Sequence, residues 1–164
     1  IVAYFSISRF HSAAADIIVF IHLIRDIIMG YVFIYLAAVV IFLGVDAVWL
    51  TTMKGAFYES RIGHLLADEP NMMAAGVFYM FYILALCILV LYPQIKAGAS
   101  VGHIFLLGGL IGLMAYGTYD FTNLALYKGF TLDTALVDFV WGGVLTGSVS
   151  AIVAWLAYRF HWLS

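Results

Sequence analysis

The chain has 164 residues, of which 66% are hydrophobic and 10% are charged, and its mean hydropathy is +1.09. Soluble domains are about 45–50% apolar and about 25% charged, so the composition predicts a membrane protein and argues against a soluble globule. The formal net charge is −2 and the chain holds one cysteine. We therefore expect no nucleic-acid partner and no internal disulfide.

Residues 1–28 form a segment of ambiguous type. A helix over 13–28 would carry an uneven polar side made of Asp16, His22, Arg25 and Asp26. Charges inside the apolar part are not typical of a secretory signal. Three interpretations stay open: an interfacial helix, an additional span, or an extension upstream of a native start at Met29.

The first clear span is predicted over 31–52, because about 20 apolar residues cross a bilayer core. It has one ionisable interruption, Asp46, with Trp49 three residues later on the same helical face. A mid-span Asp costs roughly 2.5–3.5 kcal/mol, against gains of about 0.3–0.6 kcal/mol for each large aliphatic or Phe side chain. The span is therefore expected to insert.

A helical repeat of apolar residues from Phe57 to Leu66 predicts a short amphipathic helix at the membrane interface. The second span is predicted over 71–92. The two prolines of the chain, Pro70 and Pro93, bracket this span. Proline is tolerated at a helix start and just beyond a helix end, so Pro93 is expected to end the helix.

The third and fourth spans are predicted over 101–123 and 132–158. Each contains a pair of glycines four residues apart, which permits close approach of a neighbouring helix: Gly108 with Gly112, and Gly143 with Gly147. Short loops make sequential helices antiparallel neighbours. The predicted fold class is therefore all-α, an integral membrane four-helix up-down bundle over 29–164. The short interfacial helix and a possible extra N-terminal helix within 1–28 would be added to it. Lys and Arg are shared evenly between the two membrane sides, so their distribution favours neither orientation.

Polar side chains are predicted to meet at one depth of this bundle. Tyr116, Asp120 and Asn123 share a helical face, and at about 1.5 Å per residue the carboxyl groups of Asp46, Asp120 and Asp138 fall in one leaflet. This is the leaflet next to side B, the membrane side on which the first clear span ends. A carboxylate inside a membrane is costly unless it faces protein, water or an ion. The predicted pocket contains Asp46, Trp49, Tyr79, Tyr82, Tyr116, Tyr119, Asp120, Thr122, Asn123, Asp138 and Trp141.

The aspartates of this pocket have several interpretations. As structural posts they would accept hydrogen bonds that average only about 0.6 kcal/mol in membranes, a small return for three buried carboxyl groups. Carboxyl groups held close together and away from water cannot all ionise, so at least one is expected to be protonated, which suits proton relay or acid-base chemistry. A divalent cation could bind the aspartates with His64, but the usual spacing of metal ligands is absent. We expect no metal and no cofactor, and we assign no catalytic residue. The tyrosines and tryptophans could instead serve packing and interfacial anchoring.

The chain resembles an uncharacterised family of predicted bacterial inner-membrane proteins, a domain of unknown function (two-one-seven-seven). The motifs that carry the resemblance are Asp46-x-x-Trp49-Leu50, Phe57-Tyr58, Gly63-His64-Leu65-Leu66, Phe78-Tyr79, Tyr119-Asp120-Phe-Thr122-Asn123-Leu124 and Asp138-x-x-Trp141-Gly142. The likeness covers Met29 to about Leu156, and family members begin just before the first span, which favours a native start at Met29. The resemblance implies a small multi-pass protein of the bacterial inner membrane, sometimes encoded near fatty-acid-modifying enzymes. It implies no established activity.

Three functional hypotheses follow. The first is a membrane-embedded binding protein whose side-B pocket receives a lipid-like molecule or a partner helix. The second is an intramembrane enzyme acting on a lipid or fatty acyl chain, with Asp120 or Asp138 as the acid-base group. The third is a proton- or cation-coupled carrier, which with four spans would need to form a homo-oligomer. In every case the lipid bilayer itself is an expected partner.

Overall fold

The structure is a computed structural model that describes residues 2–163, except for the side chains of residues 2–18, 22, 23, 26 and 27. Helices α1 to α6 and the short π- and 3-10 segments between them make up nearly all of the described chain, which contains no strand. Four helices among the described residues are long and apolar enough to cross a membrane, namely Ile28–Leu65, Met72–Lys96, Val101–Leu126 and Leu132–Phe160. The predicted all-α class is confirmed.

Helix α1 runs without interruption over Val2–Met53. The segment before Met29 is thus continuous with the first span. The polar side predicted for this segment rests on Asp16, His22 and Asp26, whose side chains lie outside the described part of the chain. A native start at Met29 stays a prediction.

The predicted amphipathic segment continues directly from α1. It consists of a π-helix over Lys54–Tyr58, helix α2 over Glu59–Ile62 and a 3-10 turn over Gly63–Leu65. The first part of its apolar stripe faces protein, because Tyr58 and Ile62 are buried with Phe130 and Ala135 in a small second core. Leu65 and Leu66, at its end, are exposed. The packing in this small core ties the end of the first span to the beginning of the last one.

The second span is longer than predicted. Asn71 caps helix α3 (Met72–Leu86) by accepting a hydrogen bond from the Ala74 N–H at 3.0 Å. A π-helix over Cys87–Leu91 and helix α4 over Tyr92–Lys96 follow. The expectation that Pro93 ends the helix is wrong. Pro93 lies in the first turn of α4 after the wider π-helix, where its missing N–H and its ring are tolerated.

The third and fourth spans begin where they are predicted to begin and end two or three residues later than predicted. Ser100 caps helix α5 (Val101–Leu126) by accepting a hydrogen bond from the His103 N–H at 3.2 Å. Helix α6 follows over Leu132–Phe160 and is the most deeply buried of the four spans. It packs against α5 most extensively and also against α1 and α4. The main core around it includes Ile34, Phe42, Ile83, Leu86, Ile104, Leu145, Val149 and Val153.

Helices α5 and α6 approach closely because glycines line both faces of their contact. A β-carbon added to Gly112 would lie 2.0 Å from the Gly142 carbonyl oxygen, and one added to Gly108 would lie 2.2 Å from Ser150 Oγ. One added to Gly147 would lie 2.9 Å from the Phe105 carbonyl oxygen. The predicted role of these small-residue pairs in close helix approach is confirmed.

We expect Gly112→Ala to lower the free energy of unfolding by about 1–3 kcal/mol, because the added methyl group forces backbones apart. The control is Gly102→Ala in the same helix, where an added β-carbon meets no atom within 4 Å. The control should leave stability unchanged or raise it, since Ala favours helix over Gly. Unfolding in a denaturing-detergent titration measures both variants. Equal stabilities would contradict the close contact.

Candidate functional site

Asp46 of α1 is a buried carboxylate, 3% exposed, with two hydrogen-bond donors. The Tyr79 hydroxyl of α3 donates to its Oδ2 at 2.6 Å, and the Trp141 Nε1–H of α6 donates to its Oδ1 at 3.2 Å. The two donors come from two other spans, so a single carboxylate connects three of the four spans. Both of its oxygens are satisfied, as a buried carboxylate requires.

Asp138 of α6 belongs to a second, adjoining network. The Tyr58 hydroxyl donates to Asp138 Oδ1, and the Trp49 Nε1–H donates to the Tyr58 hydroxyl oxygen at 3.1 Å. The indole rings of Trp49 and Trp141 are stacked, with centroids 4.0 Å apart and planes at 7°. This stack connects the network of Asp138 to that of Asp46.

The π-helix over Lys54–Tyr58 makes the second network possible. Residues nine apart in a regular α-helix lie on opposite faces, since each residue turns the helix by about 100°. Trp49 and Tyr58 are nine residues apart and yet hydrogen-bonded. The wider π-helical turns change the phase of the helix and bring the Tyr58 hydroxyl into the bundle.

Asp120 of α5 differs from the other two aspartates. Its side chain is 0% exposed, and neither carboxyl oxygen has a hydrogen-bond partner among the residues that the structure describes. It interacts electrostatically with Asp138, which in turn interacts with Asp46. Most buried polar groups in proteins are hydrogen-bonded, so Asp120 is the exceptional group of the site.

Two cavities are lined by residues of α5 that precede and follow Asp120, and Asp120 itself lines neither of them. The inner cavity has a volume of about 150 Å³ and is lined by Phe42, Phe78, Tyr79, Tyr82, Ala115, Tyr116 and Tyr119. The outer cavity, of about 360 Å³, is lined by Ile62, Leu65, Leu66, Tyr119, Asn123, Tyr127 and Phe130. Tyr119 lines both cavities and is itself 60% exposed, so its side chain separates them at the protein surface.

Neighbouring side chains hold the aromatic lining of the inner cavity in position. The Tyr82 hydroxyl and Thr146 Oγ1 are hydrogen-bonded at 2.9 Å. The Phe42 ring packs on Tyr79 and Tyr82, with centroids 5.9 and 5.5 Å away. Tyr116 packs on Gly142, where an added β-carbon would lie 2.2 Å from the Tyr116 Cγ. A glycine at position 142 is therefore required for the observed place of Tyr116.

The structure brings most of the predicted pocket residues together, but in distinct roles. Asp46, Trp49, Tyr79, Asp138 and Trp141 form the two networks. Tyr82, Tyr116 and Tyr119 line the inner cavity, and Asn123 lines the outer one. Thr122 is not brought to them: it is exposed, and its hydroxyl donates to the carbonyl oxygens of Thr118 and Tyr119 in its own helix.

Sequence reasoning missed two contributors to the site. Tyr58 falls in the segment predicted to be an interfacial amphipathic helix, and its position in the Phe57-Tyr58 motif is the only signal of another role. Thr146, which is fully buried, had no signal beyond its place one residue before Gly147. Tyr58 reaches the site because of the π-helix, and Thr146 because α6 packs against α3. Residue spacing alone predicts neither contact.

The metal alternative finds no geometric support. The described residues contain no group of three or more His, Cys, Asp or Glu side chains placed to hold a metal ion. His64 lies outside the aspartate networks and packs on Gly129, where an added β-carbon would be 2.4 Å from its Nε2. Nearby, Arg61 forms a salt bridge with Asp133, and this pair further fixes the chain after α1 to the start of α6.

These features define a multi-pass helical membrane protein with a polar and aromatic site inside the bundle. The chain belongs to the family described as predicted membrane protein (DUF2177), which matches residues 31–156. The match confirms the resemblance found in the sequence. No curated protein and no solved structure matches the chain.

We expect the isosteric changes Asp46→Asn and Asp120→Asn to differ in their effect on stability. Asn at position 46 cannot accept from both Tyr79 and Trp141 as a carboxylate does, so the free energy of unfolding should fall by about 1–2 kcal/mol. Asn at position 120 removes no hydrogen bond, so stability should be unchanged or higher. Thermal unfolding in mild detergent measures both. A larger loss for Asp120→Asn would show that Asp120 is a structural post.

Proposed function

We propose that the protein binds a lipid-like molecule in the inner cavity. The observation that carries the proposal is the lining of that cavity, in which aromatic side chains from α1, α3 and α5 surround a space of about 150 Å³. Aromatic walls suit an apolar chain, and tyrosine hydroxyls offer polar contacts at the same place.

The dimensions of the two cavities support an amphipathic ligand. A water molecule occupies about 30 Å³ in the liquid, so the inner cavity has room for a short run of chain atoms. The outer cavity is larger, about 360 Å³, which falls in the usual range of ligand pockets, about 300–1,000 Å³. The apolar part of the ligand would occupy the inner cavity, with its polar end toward the outer one.

A partner helix is the less suitable occupant. An α-helix with its side chains is about 10–12 Å across, too wide for the inner cavity between α1, α3 and α5. An extended alkyl chain is much thinner and can enter between aromatic rings. The proposal therefore takes the lipid-like molecule and not the partner helix.

We also propose the bacterial inner membrane as the location of the protein. The resemblance of residues 29–156 to predicted bacterial inner-membrane proteins supports this location. Fractionation of a bacterial host into inner and outer membranes, followed by immunodetection of the full chain, tests it directly.

We expect Ala115→Leu to block binding, because the added atoms fill the inner cavity that Ala115 lines. Ala125→Leu is the matched control, since it makes the same change at an exposed position of the same helix. Native mass spectrometry of protein purified in mild detergent measures the co-purified lipid-like molecule. Its occupancy should fall several-fold in Ala115→Leu and stay unchanged in Ala125→Leu. Equal occupancy in all forms, or none in the wild type, contradicts the proposal.

A second candidate function is an intramembrane enzyme that acts on the bound molecule. The observation that favours it is Asp120, a buried carboxyl group with no hydrogen-bond partner among the described residues, since such a group is available to take or give a proton. Conversion of an added lipid or fatty acyl chain by the wild type, and its loss in Asp120→Asn at equal protein level, would identify an enzyme.

A further inference from the structure

We propose that a cavity on side A, the membrane side opposite side B, binds the phosphate group of an anionic phospholipid through Lys96 and His161. This site is separate from the inner cavity and does not depend on the proposed function. Its volume is about 200 Å³, and its lining consists of Ile95, Lys96, Gly98, Ala157, Tyr158, His161 and Leu163. An ammonium group and an imidazole N–H both donate hydrogen bonds to phosphate oxygens.

The cavity lies at the level of the lipid head groups. Lys96 is the last residue of the candidate span Met72–Lys96, and His161 directly follows the span Leu132–Phe160. A span crosses the hydrocarbon core and ends where the polar head groups begin. A water molecule occupies about 30 Å³ in the liquid, so the cavity has room for a head group, while the acyl chains of the same lipid would stay in the bilayer.

The charge around the cavity favours an anion. The two segments that form it, 93–102 and 154–163, contain Lys96, Arg159 and His161 and neither Asp nor Glu. Basic pockets between membrane-spanning helices bind anionic lipid head groups. The ammonium group of phosphatidylcholine would meet the positive charge of these segments and none of their side chains could neutralise it. A head group with a net negative charge, such as that of phosphatidylglycerol, is therefore the better ligand.

Hydrogen bonds hold both walls of the cavity in place. The Tyr158 hydroxyl of α6 donates to the Ala99 carbonyl oxygen at 2.6 Å, which fixes the turn after α4 against α6. Gly98 lies in that turn, in the left-handed conformation with a φ of 68°. On the other wall, the Trp162 N–H donates to the Ala157 carbonyl oxygen at 3.0 Å. The head group would thus enter a preformed space, which lowers the cost of binding.

The backbone of His161 supports the site independently of charge. His161 ends α6 with a φ of 55° and a ψ of 44°, the left-handed conformation that is usually adopted by glycine. Among the described residues it is the one non-glycine residue with a positive φ, whereas the turn after α4 has a glycine, Gly98, in this conformation. Glycine would form the turn after α6 with less strain, and strained residues are found at binding sites. A role of the imidazole in the cavity accounts for a histidine at this position.

Titration of the full chain with lipids in mild detergent, measured by native mass spectrometry, tests the proposal. The ligands are phosphatidylglycerol, phosphatidylcholine and inorganic phosphate. Every protein carries Ala115→Leu, so that binding in the inner cavity does not contribute to the signal. We expect phosphatidylglycerol to bind at least about tenfold more tightly than phosphatidylcholine, since each basic side chain near an anionic head group contributes about fivefold.

Three substitutions assign this preference to the cavity. Lys96→Gln should lower the preference for phosphatidylglycerol by about fivefold, because it removes a charge from the lining. Arg159→Gln is the matched control: it removes the same charge from an exposed residue of side A outside the lining, and it should change the preference by less than about twofold. His161→Gly should lower the preference several-fold and leave the melting temperature unchanged or higher, because glycine adopts the left-handed conformation without strain.

Four results would overturn the proposal. The first is equal affinity for the two lipids, and the second is an unchanged preference in Lys96→Gln or His161→Gly. The third is a loss in Arg159→Gln as large as in Lys96→Gln, which would indicate a general attraction to the basic surface. The fourth is displacement of phosphatidylglycerol by inorganic phosphate at the same concentration, which would make a soluble anion the ligand. None of these results bears on the inner cavity, so the proposed function stands or falls separately.

Discussion

The carboxylate of Asp46 is the interaction on which the arrangement of the spans depends. Inside a bilayer the hydrophobic effect does not draw helices together, because lipid tails are as apolar as leucine. Packing and interhelical hydrogen bonds must do so instead. Asp46 accepts from Tyr79 and from Trp141, and thereby fixes α1 against α3 and α6 at one depth. Moving any of these helices along its axis would leave a buried carboxylate without a donor.

Asp120, unlike Asp46, is a buried carboxyl group that the packing of the described helices leaves without a hydrogen bond. The same bundle that gives Asp46 two donors gives Asp120 none among the described residues, although it is the more deeply buried of the two. A structure selected only for stability would place an apolar side chain of similar volume there, since buried charged groups are often replaceable without loss. No hydrogen bond among the described residues accounts for a carboxyl group at this position.

The spans, the fold class and the glycine contact could be predicted from the sequence because each depends on local composition and spacing. Hydropathy predicts the bounds of a span to within a few residues. Gly108 and Gly112 predict a close contact with a neighbouring helix, whichever helix that is. Pro93 was misjudged because a π-helix before it removes the penalty that proline has in a regular helix. Tyr58 was misjudged for a related reason, since only a change of helical phase turns it toward Asp138. Whether a buried Asp has a hydrogen-bond donor depends on how several helices pack together. Residue spacing within one helix therefore does not predict the difference between Asp46 and Asp120.

The glycine contact between α5 and α6 and the inner cavity are connected through shared residues. Gly142 lies against Gly112 on one side and under the Tyr116 ring on the other. Tyr116 in turn forms a wall of the inner cavity, and Asp120 follows it one turn later on the same face. Any substitution that separates α5 from α6 must therefore move Tyr116 and Asp120 as well. The close helix contact that stabilises the bundle therefore also affects the width of the inner cavity and the position of the Asp120 carboxyl group. The proposed ligand binding would consequently be coupled to stability through backbone position, and not only through the side chains that line the inner cavity.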